Sequence, residues 1–135
     1  MASTYLREQV GGHCLRSGSF TKPSEVWVRL WTVMPDNAGG GGTEVSSTAT
    51  GYTPVQHGPG DTYWATDNNG GFSNLGTIQF GVPVADWGNV VGVTLHTDDV
   101  SGNMLDRYTF PAAITVSNGG QTIAFADGDL TFSFT

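Results

Sequence analysis

The sequence predicts an all-β protein: a β-sandwich or barrel-like domain of about eight short antiparallel strands, preceded by a short N-terminal helix. Three observations carry this. Short runs of alternating apolar and polar residues recur along the chain, and clusters of Gly, Pro, Asn and Asp separate them. Twenty glycines and a charged fraction of 13% in 135 residues leave little material for long amphipathic helices. The length suits one domain. Residues 1–18 form a helix and attachment segment, and residues 19–135 a single β-sandwich-like domain.

The helix candidate is "STYLREQVGGHCL", residues 3–15, with Ser3 or Thr4 able to cap it. Leu6, Val10 and Cys14 repeat every four residues and make one apolar stripe. Gly11 and Gly12 weaken its middle, so it should lean on a sheet or a neighbouring subunit.

The first strand is "EVWVRLWTV", residues 25–33. Val26, Val28 and Leu30 alternate with Trp27, Arg29 and Trp31, so bulk lies on both faces and the strand should be covered on both sides. Pro35 stops it, four glycines at 39–42 supply a loop, and residues 43–48 read as a second short strand. Residues 51–76 are rich in turn formers yet hold Tyr52, Tyr63, Trp64 and Phe72. Such a loop either folds onto the sheet or binds something. Strands then follow at 77–81, 88–98, 103–110, 113–117 and 121–126. "DVSG" should join 88–98 to 103–110 as a hairpin, and "NGG" at 118–120 should join 113–117 to 121–126. The last strand alternates cleanly, with Leu130, Phe132 and Phe134 inward.

Net charge is −7, which argues against nucleic acid as a direct partner. Residues 1–29 hold four bases against two acids, and residues 30–135 one base against ten acids. This asymmetry suits an N-terminal segment that meets an acidic surface. A single cysteine, Cys14, rules out an intrachain disulfide. No apolar run is long enough for a membrane-spanning helix, and no secretory signal is expected.

No catalytic constellation emerges, so no enzyme activity and no cofactor are expected. His13, His57 and His96 lack metal-ligand spacing. His96 with Asp98 and Asp99 reads as a turn-stabilising cluster. "DGD" at 127–129 lacks the remaining ligands of a calcium loop. The glycines at 39–42 lack the Lys-Ser/Thr of a phosphate loop. Trp27, Trp31, Trp64 and Trp87 fit a core or subunit interface better than a sugar-stacking platform.

Several stretches together resemble a family of small tailed-bacteriophage virion proteins. They are "GTEVS" at 42–46, Tyr52, "DWG" at 86–88, Asp98, Gly102-Asn103 and Leu105, following a helix and Pro23, Val26, Val28, Leu30, Thr32 and Pro35. Members are commonly labelled tail fibre or minor tail protein, and small β-proteins of this size also serve as capsid cement. The resemblance implies a non-enzymatic structural protein located in the virion and assembled in the host cytoplasm. The stretch 51–74 departs from the family pattern. With no repeat, heptad or collagen-like tract for a fibre shaft, the chain reads first as a capsid decoration protein stabilising the head shell. The alternatives are a tail fibre or minor tail protein for host attachment, and then a carbohydrate-binding β-domain. The expected partners are the major capsid protein or tail proteins, and further copies of the chain, most simply as a trimer. The candidate interface residues are Arg7, Arg16 and Arg29 toward an acidic partner, and Trp64 and Phe72 toward neighbouring copies.

Overall fold

A computed structural model describes residues 2–134. Among them, one helix, α1 (Thr4–Leu15), precedes ten strands. These are β1 (Trp27–Val33), β2 (Thr43–Glu44), β3 (Val55–Gln56), β4 (Trp64–Thr66), β5 (Gly71–Asn74), β6 (Ile78–Gln79), β7 (Gly88–His96), β8 (Met104–Val116), β9 (Ala124–Phe125) and β10 (Thr131–Ser133). All pairings between strands are antiparallel. A five-stranded sheet has the order β2-β1-β7-β8, with β3 also on β1. A three-stranded sheet has the order β10-β5-β4, and β6 and β9 form a two-stranded ribbon.

One apolar core joins these sheets. Val28, Leu30, Val93 and Leu95 supply it from β1 and β7, while Leu130 and Phe132 supply it from the C-terminal end. The register explains why they meet: Val28 lies opposite Leu95 and Leu30 opposite Val93. The next residues along each strand point away from this core, so Trp27 faces His96, Arg29 faces Thr94 and Trp31 faces Gly92. Val28 to Trp31 are all buried, as expected for a strand covered on both sides. The alternation of the last strand also holds, with Leu130 and Phe132 buried and Phe134 half-buried.

Of the two outcomes open to the aromatic stretch 51–76, it folds down: it supplies β3 to the five-stranded sheet and β4 and β5, two of the three strands of the second sheet. Two expectations change. The strands expected at 103–110 and 113–117 are one strand, β8, because β7 templates both halves. Register passes from Gly92↔Thr109 to Val90↔Ile114, so Phe110 to Ala113 bulge outward opposite Val91. Pro111 sits in that bulge, where its missing N–H breaks no ladder bond. Asn118-Gly119-Gly120 therefore does not join a hairpin. Its turn ends β8, with Gly119 donating to the Pro83 carbonyl at 3.0 Å, and of the strand expected at 121–126 only Ala124 and Phe125 are in strand.

The helix is anchored at its start, with no stripe buried along its length. Ala2 bridges Asp106, and the Ser3 and Thr4 amides donate to the carbonyls of Leu105 and Asn37, both at 2.9 Å. Ser3 is the cap, its hydroxyl accepting from the Leu6 amide at 3.1 Å. Leu6 is half-buried, but Val10 and Cys14 are exposed.

Candidate functional site

Two regions bring polar or aromatic side chains together. The first is the outer face of the five-stranded sheet. Arg29 binds Glu44 at 2.6 Å, and the Tyr52 hydroxyl donates to the other Glu44 oxygen at 2.6 Å while accepting from the Leu30 amide at 3.0 Å. Burial and the adjacent Glu44 carboxylate push the Tyr52 hydroxyl far above its ordinary pKa. Trp31 donates from its indole to Thr94 at 2.7 Å, and the Thr94 hydroxyl sits 2.9 Å from His96 Nδ1. The Thr94 oxygen thus accepts from Trp31 and shares a second hydrogen bond with the His96 ring. Burial, with Arg29 nearby, lowers the His96 pKa to about 3.

Two loops cover this face. Arg29 donates to the Ser101 carbonyl at 3.3 Å, which pins the β7–β8 turn. The glycine-rich loop packs beside Trp31: a Cβ on Gly42 would lie 2.7 Å from the Pro35 nitrogen and 2.9 Å from the Trp31 ring. Asp36 starts that loop, accepting from the Ala38 and Gly40 amides at 2.9 and 3.0 Å. Hydrogen bonds from the Gly40 and Ala38 amides hold its carboxyl below the usual range. Gly42 is thus the close-fitting end of this loop against the Trp31 face, with a local Asx turn at the loop's head.

The second region is an opening between the two larger sheets. A cavity of about 280 Å³ is lined by Val26, Leu95 and Leu105 on one side and by Trp64, Phe72 and Phe132 on the other. Lys22 and Asp61 also line it. Trp64 is fixed by its indole bond to the His57 carbonyl at 2.7 Å and by an edge contact with Phe132 at 6.0 Å. Phe134 lines this cavity and a neighbouring one that also touches Ala2, Leu6, Arg7 and Val10. An apolar groove thereby runs from the second sheet to the helix.

The expected interface residues divide between these regions. Trp64 and Phe72 come together on one wall of the cavity. Arg7 lies on the helical part of the same groove, and Arg16 is exposed at the helix C-cap. Arg29 is not a surface residue: it is 7% exposed, because the strand face that carries it is roofed by two loops. Trp31 and Trp87 are buried too, the latter donating to the Thr50 carbonyl at 2.9 Å, so neither offers an open stacking face. Asp98 does organise its turn, accepting from the Asp99 amide at 2.7 Å, whereas His96 turns away to Thr94 and stacks on Trp31 at 5.9 Å. Lys22, Phe132 and Phe134 were not singled out for this site by sequence. The usable signal was the inward assignment of Phe134 at the last turn of a short sheet, where little remains to cover it.

The residues behind the family resemblance are structural. Glu44 of "GTEVS" holds Arg29 and Tyr52, and Val45 donates to the Leu30 carbonyl at 3.0 Å. In "DWG", the Asp86 carboxylate accepts from the Asn118 amide at 2.7 Å, and the Trp87 amide donates to Val116 at 2.9 Å. A protein-family model described as "Podophage GP4 fiber I protein gp80" matches residues 1–133. No curated protein matches the chain.

Proposed function

We propose a function from one premise: the chain belongs to the family described as Podophage GP4 fiber I protein gp80, whose model spans residues 1–133. Membership makes it a phage virion structural protein. Within the particle, it serves as a non-enzymatic fibre component that takes part in host attachment. The family match is the observation that carries this reading, and it replaces the head-shell decoration role expected first from the sequence. Nothing in that match points to the shell.

The geometry is compatible with a passive, adhesive part. The buried polar side chains are committed to joining strands and loops: Arg29 to Glu44, Trp31 to Thr94, Trp87 to Thr50. The apolar groove beside the helix is the surface open to a neighbour. The absence of a shaft-like repeat in these residues fits a compact tip or adaptor within a fibre.

Labelling purified particles with an antibody against this chain tests the location. Gold on fibres, with far fewer copies per particle than the major shell protein by quantitative mass spectrometry, supports the reading. Label spread evenly over the head, at a copy number matching the shell lattice, returns the role to decoration.

A further inference from the structure

We propose that the groove between α1 and the second sheet receives the turn carrying Asp98, Asp99 and Val100 from a second copy of this chain. The inference does not depend on the fibre reading, because it rests on complementary features of one surface and one loop.

The groove is apolar with a cationic border. Phe134 joins its two cavities, and Val10 stands 45% exposed on its helical side. Lys22 and Arg7 line it, against one carboxylate, Asp61. The chain as a whole carries −7, so this is an uncommon patch. Of the three other cations, Arg29 is buried on Glu44, Arg107 donates to the Pro35 carbonyl at 2.8 Å, and Arg16 is exposed at the helix C-cap. An occupant with an apolar tip and adjacent negative charge matches such a border.

The chain presents one. Residues 97–103 join β7 to β8, and Val100 within them is 79% exposed, next to Asp98 and Asp99. The turn is pre-ordered. The Thr97 amide donates to the Asn103 carbonyl at 3.1 Å, and the Asn103 amide donates back to the Thr97 hydroxyl at 2.9 Å. Arg29 holds the turn from below through Ser101, and Gly102 takes the positive φ of +83° that closes it. A side chain held out on a rigid turn loses little freedom on docking.

Groove and turn are different patches, so the contact is head-to-tail and propagates to a closed ring or a short chain. This geometry gives a test that a general stickiness cannot mimic. Sedimentation velocity on the full chain across a concentration series should show self-association that weakens with salt. Lys22→Glu in the groove and Val100→Asp on the turn should each weaken it by about tenfold or more. An equimolar mixture of the two variants retains one intact contact, wild-type groove against wild-type turn, and should stop at heterodimers.

Circular dichroism melts check that both variants fold. Val100→Ser, which removes the apolar tip without adding charge, should weaken association in the same direction. A wild-type chain that stays monomeric throughout overturns the proposal. So does association weakened by Lys22→Glu but untouched by both Val100 variants, which would assign the groove to another occupant. Mixed variants that assemble beyond dimers also overturn it.

Discussion

The outer face of the five-stranded sheet and the groove between the sheets use aromatic residues in opposite ways. On the outer face, Trp31 is buried and hydrogen-bonded, stacked on His96 and packed against the glycine-rich loop. In the groove, Trp64, Phe72 and Phe134 are half-buried around open space. Glu44 of the family-like "GTEVS" piece belongs to the closed region, while the family-like Val26 and Leu105 line the groove. The groove also draws on the stretch that departs from the family pattern, since Trp64 and Phe72 both lie between residues 51 and 74. The difference separates what holds the fold from what is left available for contact, and substitutions can test it in both places.

Glu44→Ala should be the most damaging. It leaves Arg29 buried without its carboxylate and strips the Tyr52 hydroxyl of its acceptor. Breaking a largely buried pair this way costs about 3 kcal/mol or more. Urea unfolding measures it directly. A loss under about 1 kcal/mol would show that the loops, not the ion pair, hold this face.

Acid should loosen the same face next. His96 is neutral in the folded protein, with a pKa near 3, but titrates near 6.5 when unfolded. The unfolded chain therefore binds more protons, and stability falls as pH drops from 6.5 toward 3. The loss approaches about 1.4 kcal/mol per pH unit. His57, whose pKa is lowered by burial, adds in the same direction. Asp106, raised by burial, opposes it at the acid end. His96→Gln should flatten the wild-type slope between pH 6 and 4.5 (a window chosen on the ordinary histidine range). An unchanged slope assigns the acid sensitivity elsewhere.

How much of this was legible in the sequence follows from which contacts are local. The covered β1, the alternating β10 and the Ser3 cap are encoded within a few residues, and all three are found. The second sheet is not local. Phe72 pairs with Phe132 across nearly half of the chain, and Phe72 lies in a stretch whose Gly, Pro, Asn and Asp content resembles a loop. Pro111 likewise marks a boundary in sequence but falls in a bulge that β7 bridges. Arg29 shows the limit for the site. Alternation put it opposite the core, and only the packing of residues 36–42 and 97–103 decides that this face is closed. Trp64 and Phe72 were identifiable as aromatics needing a partner, while the groove that unites them with Lys22 and Arg7 exists only once both sheets are in place.

The glycine loop offers a sharper contrast of two neighbours. Gly42→Ala forces a Cβ into the Pro35 backbone and the Trp31 ring and should cost about 1–3 kcal/mol. Gly40→Ala meets only the Asp36 carboxylate, at 3.6 Å, and should stay within about 0.5 kcal/mol. Thermal melts of the two variants compare them. Equal effects would mean that the loop does not seal the outer face.

Phe72→Ala probes the open region and should be mildest among the aromatic truncations. The ring is half-buried and tilted against Phe134 at 5.5 Å, with the cavity on its other side. It therefore forfeits part of a full burial and one aromatic pair, together about 1 kcal/mol. The cavity beside it already lacks packing partners, so enlarging it removes few further contacts. A cost near that of a core phenylalanine, about 3 kcal/mol or more, would mean that the sheets close over Phe72 in solution. The distinction between the two regions would then fail at this position, because the groove would be core and not available surface.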